Sequence, residues 1–168
     1  MYDLIGDIHG HATELEQLLK KLGYEKEEKG YYSHSKEKRQ VIFLGDFIDR
    51  GPEIRQVLEI VRPMVDSGEA EAVMGNHEFN ALAYHTPLRD KPGEYLRPHV
   101  FFNEKTGKVV PKNLEQHLKT LQQFPDDELS AYLDWFRKRP LWLELEDENG
   151  NHLRVAHACW DDEQIRII

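Results

Sequence analysis

A chain of 168 residues with 39% hydrophobic side chains can bury one core of ordinary domain size, and its single cysteine, Cys159, leaves no disulfide framework to consider. Lysine and arginine number 22 against 31 aspartates and glutamates, a formal net charge of −9 that argues against nucleic acid as a partner. No apolar run approaches the roughly 20 residues that cross a bilayer, and Met1 leads directly into a strand-like segment, so the chain reads as cytoplasmic with no membrane partner. Nine histidines in so acidic a chain stand out, because imidazole and carboxylate together are what divalent transition metals bind.

Three short apolar runs, Tyr2 to Ile5, Val41 to Leu44 and Ala70 to Met74, each stop at a glycine: Gly6, Gly45 and Gly75. They are too short for helices and lack alternation, the pattern of strands buried on both faces of a parallel sheet. Leu15, Leu18, Leu19 and Leu22 follow helical spacing, with Thr13 and Glu16 placed as a capping box and Gly23 as the stop. Residues 20–39 are charge-rich and read as a solvated surface excursion, with a hairpin strand at Tyr31 and Tyr32 as the alternative. Ile54, Val57, Leu58 and Val61 repeat the helical pattern after Pro52, and Pro63 is expected to kink or end that helix. Alternating strands and helices require right-handed crossovers, hence an α/β layer fold whose sites lie at the carboxyl edge of the strands.

Beyond Glu78 the periodicity fades. Residues 85–112 read as an irregular insertion in a single domain spanning 1–168. Six basic residues (Arg89, Lys91, Arg97, Lys105, Lys108, Lys112) against three acidic ones make the insertion basic, which suits either a cover for an anionic substrate or a surface loop with ordinary charge scatter. Leu114, Leu118 and Leu121, then Leu129, Leu133 and Phe136 with Asp126 as N-cap, read as two amphipathic helices. Leu141 to Leu145 and Leu153 to Ala156 flank Asn149-Gly150, a hairpin turn pair.

Chemistry concentrates in Gly6-Asp7-Ile8-His9-Gly10, Gly45-Asp46-Phe47-Ile48-Asp49-Arg50-Gly51 and Gly75-Asn76-His77-Glu78. In the first, a locally extended chain would point Asp7 and His9 the same way, giving a carboxylate and an imidazole one target. In the second, Asp46 takes the strand-end position of Asp7, and Arg50 offers a forked donor suited to phosphate. The third offers a neutral oxygen ligand, Asn76, followed by the titratable imidazole of His77. His157, at the end of the C-terminal hairpin, is a fourth contribution. Taken singly, such residues are more often helix caps or satisfied structural groups; three of these motifs at glycine-bracketed strand ends are hard to attribute to chance. His11 reads as a surface capping group, with a substrate contact as the alternative. Cys159 reads as a small buried filler, and Trp160 and Asp161 as either lining the substrate site or simply packed. His85, His99 and His117 have no partner at ligand spacing and read as structural, while Arg166 falls in no motif.

The order D-x-H, D-x-x-D-R-G, N-H-E resembles the calcineurin-like metallophosphoesterases. The Arg-Gly after Asp49 narrows the resemblance to their phosphoprotein phosphatase branch, which includes bacterial protein phosphatases and diadenosine tetraphosphate hydrolases. With His157 included, it runs through nearly the whole chain. It implies a layered αββα fold around a largely parallel sheet and a dinuclear metal centre. Asp7 and His9 would hold one divalent ion, Asp46 would bridge, and Asn76 and His157 would hold the second; manganese is expected, with iron or zinc as alternatives. It also implies a bridging hydroxide as nucleophile, His77 as general acid oriented by Asp49, and Arg50, Asn76 and His77 as groups that bind the phosphoryl substrate. The activity implied is that of a phosphatase acting on a phosphorylated protein or phosphomonoester. The alternatives are hydrolysis of a dinucleoside polyphosphate, or a truncated, catalytically impaired metal-binding remnant. That remnant reading comes from a departure: the family's further metal-binding histidine has no counterpart among the 11 residues after His157. The C-terminal half of the fold is therefore expected to be missing, and an exposed sheet edge to be covered by a second copy in a homodimer.

Overall fold

The computed structural model describes residues 1–34, 39–146 and 150–167. In chain order the elements begin with β1 (Tyr2–Ile5), α1 (Ala12–Leu22), β2 (Glu25–Lys26), β3 (Tyr32–Ser33), β4 (Gln40–Phe43), α2 (Ile54–Asp66), β5 (Ala70–Ala72) and α3 (Asn76–Tyr84). They continue with β6 (Phe101–Asn103), β7 (Lys108–Val110), α4 (Lys112–Gln123), α5 (Asp126–Phe136), β8 (Trp142–Glu146), β9 (His152–Ala156) and α6 (Asp162–Ile165). The three apolar runs form one parallel sheet in the order β1-β4-β5. Ile5 pairs with Phe43 and Phe43 with Ala72, so all three strands finish together and their following loops leave from one edge.

Each face of the sheet is covered differently. On one side Leu15 and Leu19 of α1, Val57, Leu58 and Val61 of α2, and Leu129, Leu133 and Phe136 of α5 close over Val41, Phe43 and Ala72. Each fully buried large apolar side chain contributes roughly 1.5–3 kcal/mol. On the other side Ile42 and Val73 meet Val155, Leu143, Leu145 and Leu153 of the antiparallel β8–β9 hairpin. That hairpin delivers His157, the residue after β9, to the carboxyl edge of the parallel strands. Burial on both faces holds for the central strand β4 but not for the edge strand β1, where Leu4 is 50% exposed.

Local expectations give way to long-range contacts at several points. The Thr13–Glu16 capping box does not form: α1 starts at Ala12, and the backbone N–H and hydroxyl of Thr13 donate to the Glu53 carboxylate at 2.9 and 2.7 Å. Pro63 lies inside α2, which runs on to Asp66 although the proline has no N–H to give the Glu59 carbonyl. Pro125, not Asp126, flanks α5, and Asp126 is its first helical residue. In the charge-rich stretch the hairpin reading holds, since β2 pairs with β3 and Tyr32 is buried with Tyr24 in the core. Within residues 85–112 the β6–β7 hairpin supplies regular structure, with Phe102 and Val109 exposed. Asn149 lies outside the described residues; Gly150 beside it has a left-handed φ of 79°.

Two glycines separate the cost of a left-handed backbone from that of crowding. Gly45 and Gly68 have φ of +86° and +84°, yet a Cβ on Gly45 would meet the Gly75 nitrogen at 2.2 Å, whereas one on Gly68 would meet nothing within 4 Å. Gly68→Ala is expected to cost about 1 kcal/mol. Gly45→Ala should cost on the order of 4 kcal/mol or more. Urea unfolding with matched slopes checks this, and equal losses would disprove the close approach of the two loops.

Candidate active site

Backbone strain is gathered in the first two motifs. Among the described residues the non-glycine positions with positive φ are Asp7, His9, Asp46, Asp49 and Arg50, between 45° and 68°. Each such conformation costs roughly 1–2 kcal/mol and persists only where surrounding bonds impose it. Here the bonds are visible. His9 N–H donates to the Asp46 carbonyl at 2.8 Å, Gly10 N–H to that of Phe47 at 2.9 Å, and Gly51 N–H back to that of His9 at 2.9 Å. The carboxylate of Glu78, fully buried in the first turn of α3, accepts the N–H groups of Asp46 and Phe47 at 2.8 Å and of Gly75 at 3.1 Å. Burial pushes the Glu78 carboxyl up, against the pull of those backbone donors. The expected extended path through Asp7 and His9 is therefore corrected: both residues are left-handed, and their placement comes from inter-loop bonds.

Asp46 is the centre of the cluster. Its Oδ1 accepts the His77 backbone N–H at 3.0 Å. Its Oδ2 faces three imidazoles, with Nε2 of His9 at 3.5 Å, of His157 at 3.6 Å and of His77 at 4.0 Å. Backbone carbonyls fix two of these rings. His9 Nδ1 donates to the Ile48 carbonyl at 3.0 Å and His157 Nδ1 to that of Leu44 at 2.7 Å. A carbonyl can only accept, so Nδ1 carries the proton and Nε2 is the nitrogen left to face the cluster. His157 Nε2 also stands 2.9 Å from Asn76 Oδ1. A lone-pair nitrogen, an amide oxygen and a carboxylate oxygen thus converge, an arrangement that a divalent cation satisfies, with histidines oriented as metal ligands are.

These donors sort into two sets that share Asp46: His9, Asp46 and His77, and Asp7, Asp46 and His157, the ligand atoms of each lying within 4.8 Å of one another. Nitrogen and carboxylate donors of this kind fit manganese, iron or zinc. In this geometry His9 groups with His77, and Asp7 with His157.

Beside the cluster, His77 Nδ1 donates to Asp49 Oδ2 at 2.6 Å. Burial would raise the Asp49 carboxyl, but hydrogen bonds from His117, then His77, and from Thr120 outweigh it and hold it well below the usual carboxylate range. Burial would lower His77; the hydrogen bond to Asp49 and the charges of Asp46 and Asp49 outweigh that and the opposing Arg50, so the imidazole is raised. Arg50 and Asn76 are exposed at the edge of the cluster.

Sequence reasoning missed the back of this pair. His117 Nδ1 donates to Asp49 Oδ1 at 2.9 Å and the Thr120 hydroxyl to the same oxygen at 2.6 Å, so His117 is not merely a packed residue. The signal available was the one-turn spacing of 117 and 120 on a helix; its target, 68 residues away in sequence, was not legible. Cys159 is exposed, not a buried filler, because the chain has left the hairpin's covered face. Asp161 caps α6 by accepting from the backbone of Glu163 and Gln164, and Trp160 lies under Arg154 at 5.0 Å, so both are engaged locally. His11 flanks α1 without a side-chain cap bond and pairs with Glu14 at 3.8 Å. His99 is sandwiched between Tyr84 and Tyr95, with ring centroids 3.8 and 4.2 Å away.

The profile of the calcineurin-like phosphoesterase family matches residues 2–166. The asymmetrical bis(5'-nucleosyl)-tetraphosphatase PrpE of Oceanobacillus iheyensis is 47% identical over 164 residues, covering 93% of this chain and 55% of that protein. The symmetrical bis(5'-nucleosyl)-tetraphosphatase of Hamiltonella defensa is 33% identical over 146 residues, covering 86% and 40%. A crystal structure assigned as a diadenosine tetraphosphatase aligns with a TM-score of 0.53 at 23% identity, over 94% of this chain and 50% of that one, which shows the fold. The chain spans about half the length of the curated relatives it matches.

The Glu78 carboxylate sets a test of how the loops are held. Glu78→Gln turns one acceptor oxygen into an N–H donor, which then faces either the backbone N–H groups of Asp46 and Gly75 or those of Phe47 and Ile48. A loss on the order of 3 kcal/mol is expected. Denaturant unfolding reads it, and a change under about 1 kcal/mol would mean that other bonds hold the left-handed loop.

Proposed function

The chain belongs to the calcineurin-like phosphoesterase family, and within it we propose that this site serves the hydrolysis of a dinucleoside polyphosphate. The observation that carries the reading is the Asp46 cluster, three imidazoles around one carboxylate oxygen, set against the buried Asp49–His77 pair. Phosphoprotein, the substrate that the motifs suggest first, gives way because the curated relatives at 47% and 33% identity are both named bis(5'-nucleosyl)-tetraphosphatases.

Asp7, His9, Asp46, Asn76 and His157 are the residues that would hold two divalent cations. Bound there, such ions supply a water of lowered pKa and Lewis-acid polarisation of a phosphoryl oxygen. The chain's own groups do the rest. Arg50 presents its forked guanidinium to phosphoryl oxygens from the exposed rim. Asp49 fixes the His77 ring through Nδ1 and favours its cationic form, leaving Nε2 to deliver a proton to the departing oxygen. His9, Asp46 and His77 are buried, and the lowered local dielectric strengthens each of these interactions.

Incubating the purified chain with manganese and diadenosine tetraphosphate, a phosphoserine peptide or p-nitrophenyl phosphate, with and without chelator, tests the reading. Chelator-sensitive cleavage of the dinucleotide is expected, and its products, AMP with ATP or two ADP, give the position of attack. Turnover of the peptide alone would return the assignment to phosphoprotein. A folded chain that binds metal and turns over neither would leave the impaired remnant.

Two substitutions separate the roles. Asp46→Asn is expected to lower manganese stoichiometry measured by equilibrium dialysis, and an unchanged value would refute the shared-ligand assignment. His77→Asn should retain metal while losing on the order of 100-fold on phenyl phosphate, whose leaving group has a pKa of about 10, and far less on p-nitrophenyl phosphate. Loss of an ion in that variant would instead make His77 a ligand, as its place in the His9–Asp46–His77 set allows.

A further inference from the structure

Asp49 is only 1% exposed, and its carboxylate takes three side-chain donors, one on Oδ2 and two on Oδ1. The Oδ2 donor is His77. Both Oδ1 donors, His117 and Thr120, stand on one face of α4 and are themselves buried. Thr120 engages Asp49 twice, since its Oγ1 also accepts the Asp49 backbone N–H at 3.1 Å. The ring of His117 is fixed on its far side too, with Nε2 3.3 Å from His85 Nε2. Next along the helix, Gln116 places Nε2 3.5 Å from His77 Nδ1 and accepts from Arg97 at 2.8 Å. Arg97 in turn donates to Asn80 at 2.7 Å and so ties α4 to α3, the helix that carries His77.

A carboxylate held only by the imidazole it orients can pivot about its Cβ–Cγ bond, and the imidazole pivots with it. Donors on the second oxygen remove that freedom. We propose that His117 and Thr120 are positioning residues for His77: from α4 they lock the Asp49 carboxylate, and through it the orientation of the His77 ring toward the Asp46 cluster. Neither residue reaches the cluster itself. Their effect on turnover rests on the reading of His77 as the proton donor, whereas their effect on the ring does not.

The test uses the full chain. His117→Leu and, separately, Thr120→Val remove one donor each at similar volume, while His117→Asn keeps an amide N–H near the position of Nδ1. In the metal-free protein, the His77 Nδ1 proton bonded to Asp49 is followed by NMR through its correlation with the ring nitrogen. Its exchange with water is expected to quicken at least about tenfold in His117→Leu and in Thr120→Val, and to slow again in His117→Asn. With manganese, kcat for phenyl phosphate should fall by on the order of tenfold in the first two variants. The KM and the rate on p-nitrophenyl phosphate should stay within about twofold, and the asparagine variant should recover. An unchanged His77 proton in both donor-removal variants overturns the proposal, as do equal losses on both substrates that track a fall in Tm. If the ring proton responds but neither rate does, positioning stands and the proton-donor reading of His77 fails. Thr120→Val keeps the experiment decisive should His117→Leu not fold.

Discussion

Four backbone N–H groups, those of Asp46, Phe47, Ile48 and Gly75, converge on one buried carboxylate, and the rest of the site depends on that contact. Glu78 sits in the first turn of α3 and reaches back to Asp46, Phe47 and Gly75. Burial works against the charged form there, and the helix N-terminus and the charge-assisted bonds, each stronger than a neutral one, offset part of that cost. Because Glu78 binds the Asp46 loop from one side and the first motif binds it from the other through His9 and Gly10, the left-handed turn at Asp46 has no room to relax. The glycines follow from the same crowding. A side chain at Gly75 would strike Asp46 Oδ1 at 2.3 Å, and one at Gly45 would strike Gly75. Close approach of these two loops brings the Asp46 carboxylate, the Asn76 amide and the His77 imidazole together, while the first loop adds His9 and the β8–β9 hairpin adds His157.

How much of this the sequence discloses depends on the range of the interaction. The parallel sheet is legible because short unalternating runs ended by glycine carry their own signature, and the pairing of Ile5 with Phe43 and Phe43 with Ala72 then aligns the three motifs without further information. Residues that meet through chain order at a strand end were therefore found. Residues that meet by helix packing were not. His117 and Thr120 face Asp49 only because α4 crosses behind the second loop, a placement that no local pattern encodes. The cap of α1 is a similar case: Thr13 and Glu16 have the right spacing, but Glu53 from the second loop takes the Thr13 donors. The extended-chain premise for Asp7 and His9 failed for the same reason, since inter-loop hydrogen bonds impose a backbone conformation that propensity alone disfavours.

The electrostatics of the cluster explain why a chain of net charge −9 tolerates four acidic side chains close together. Each buried carboxylate has a separate solution to the cost of leaving water. Glu78 is satisfied by backbone N–H groups, and Asp49 by two imidazoles and a hydroxyl. Among the described residues, Asp46 is hydrogen-bonded on one oxygen, by the backbone N–H of His77. Its second oxygen faces imidazole nitrogens, and for His9 and His157 the ring proton is already committed to a backbone carbonyl. Protein donors therefore do not complete Asp46 as they complete its neighbours. Asp7, exposed on the same rim, adds further negative charge to the point where donors are lacking. A site in which every buried carboxylate oxygen but Asp46 Oδ2 has a donor among the described residues, and in which His9 and His157 turn lone-pair nitrogens toward that oxygen, is suited to a positive charge that the polypeptide does not supply.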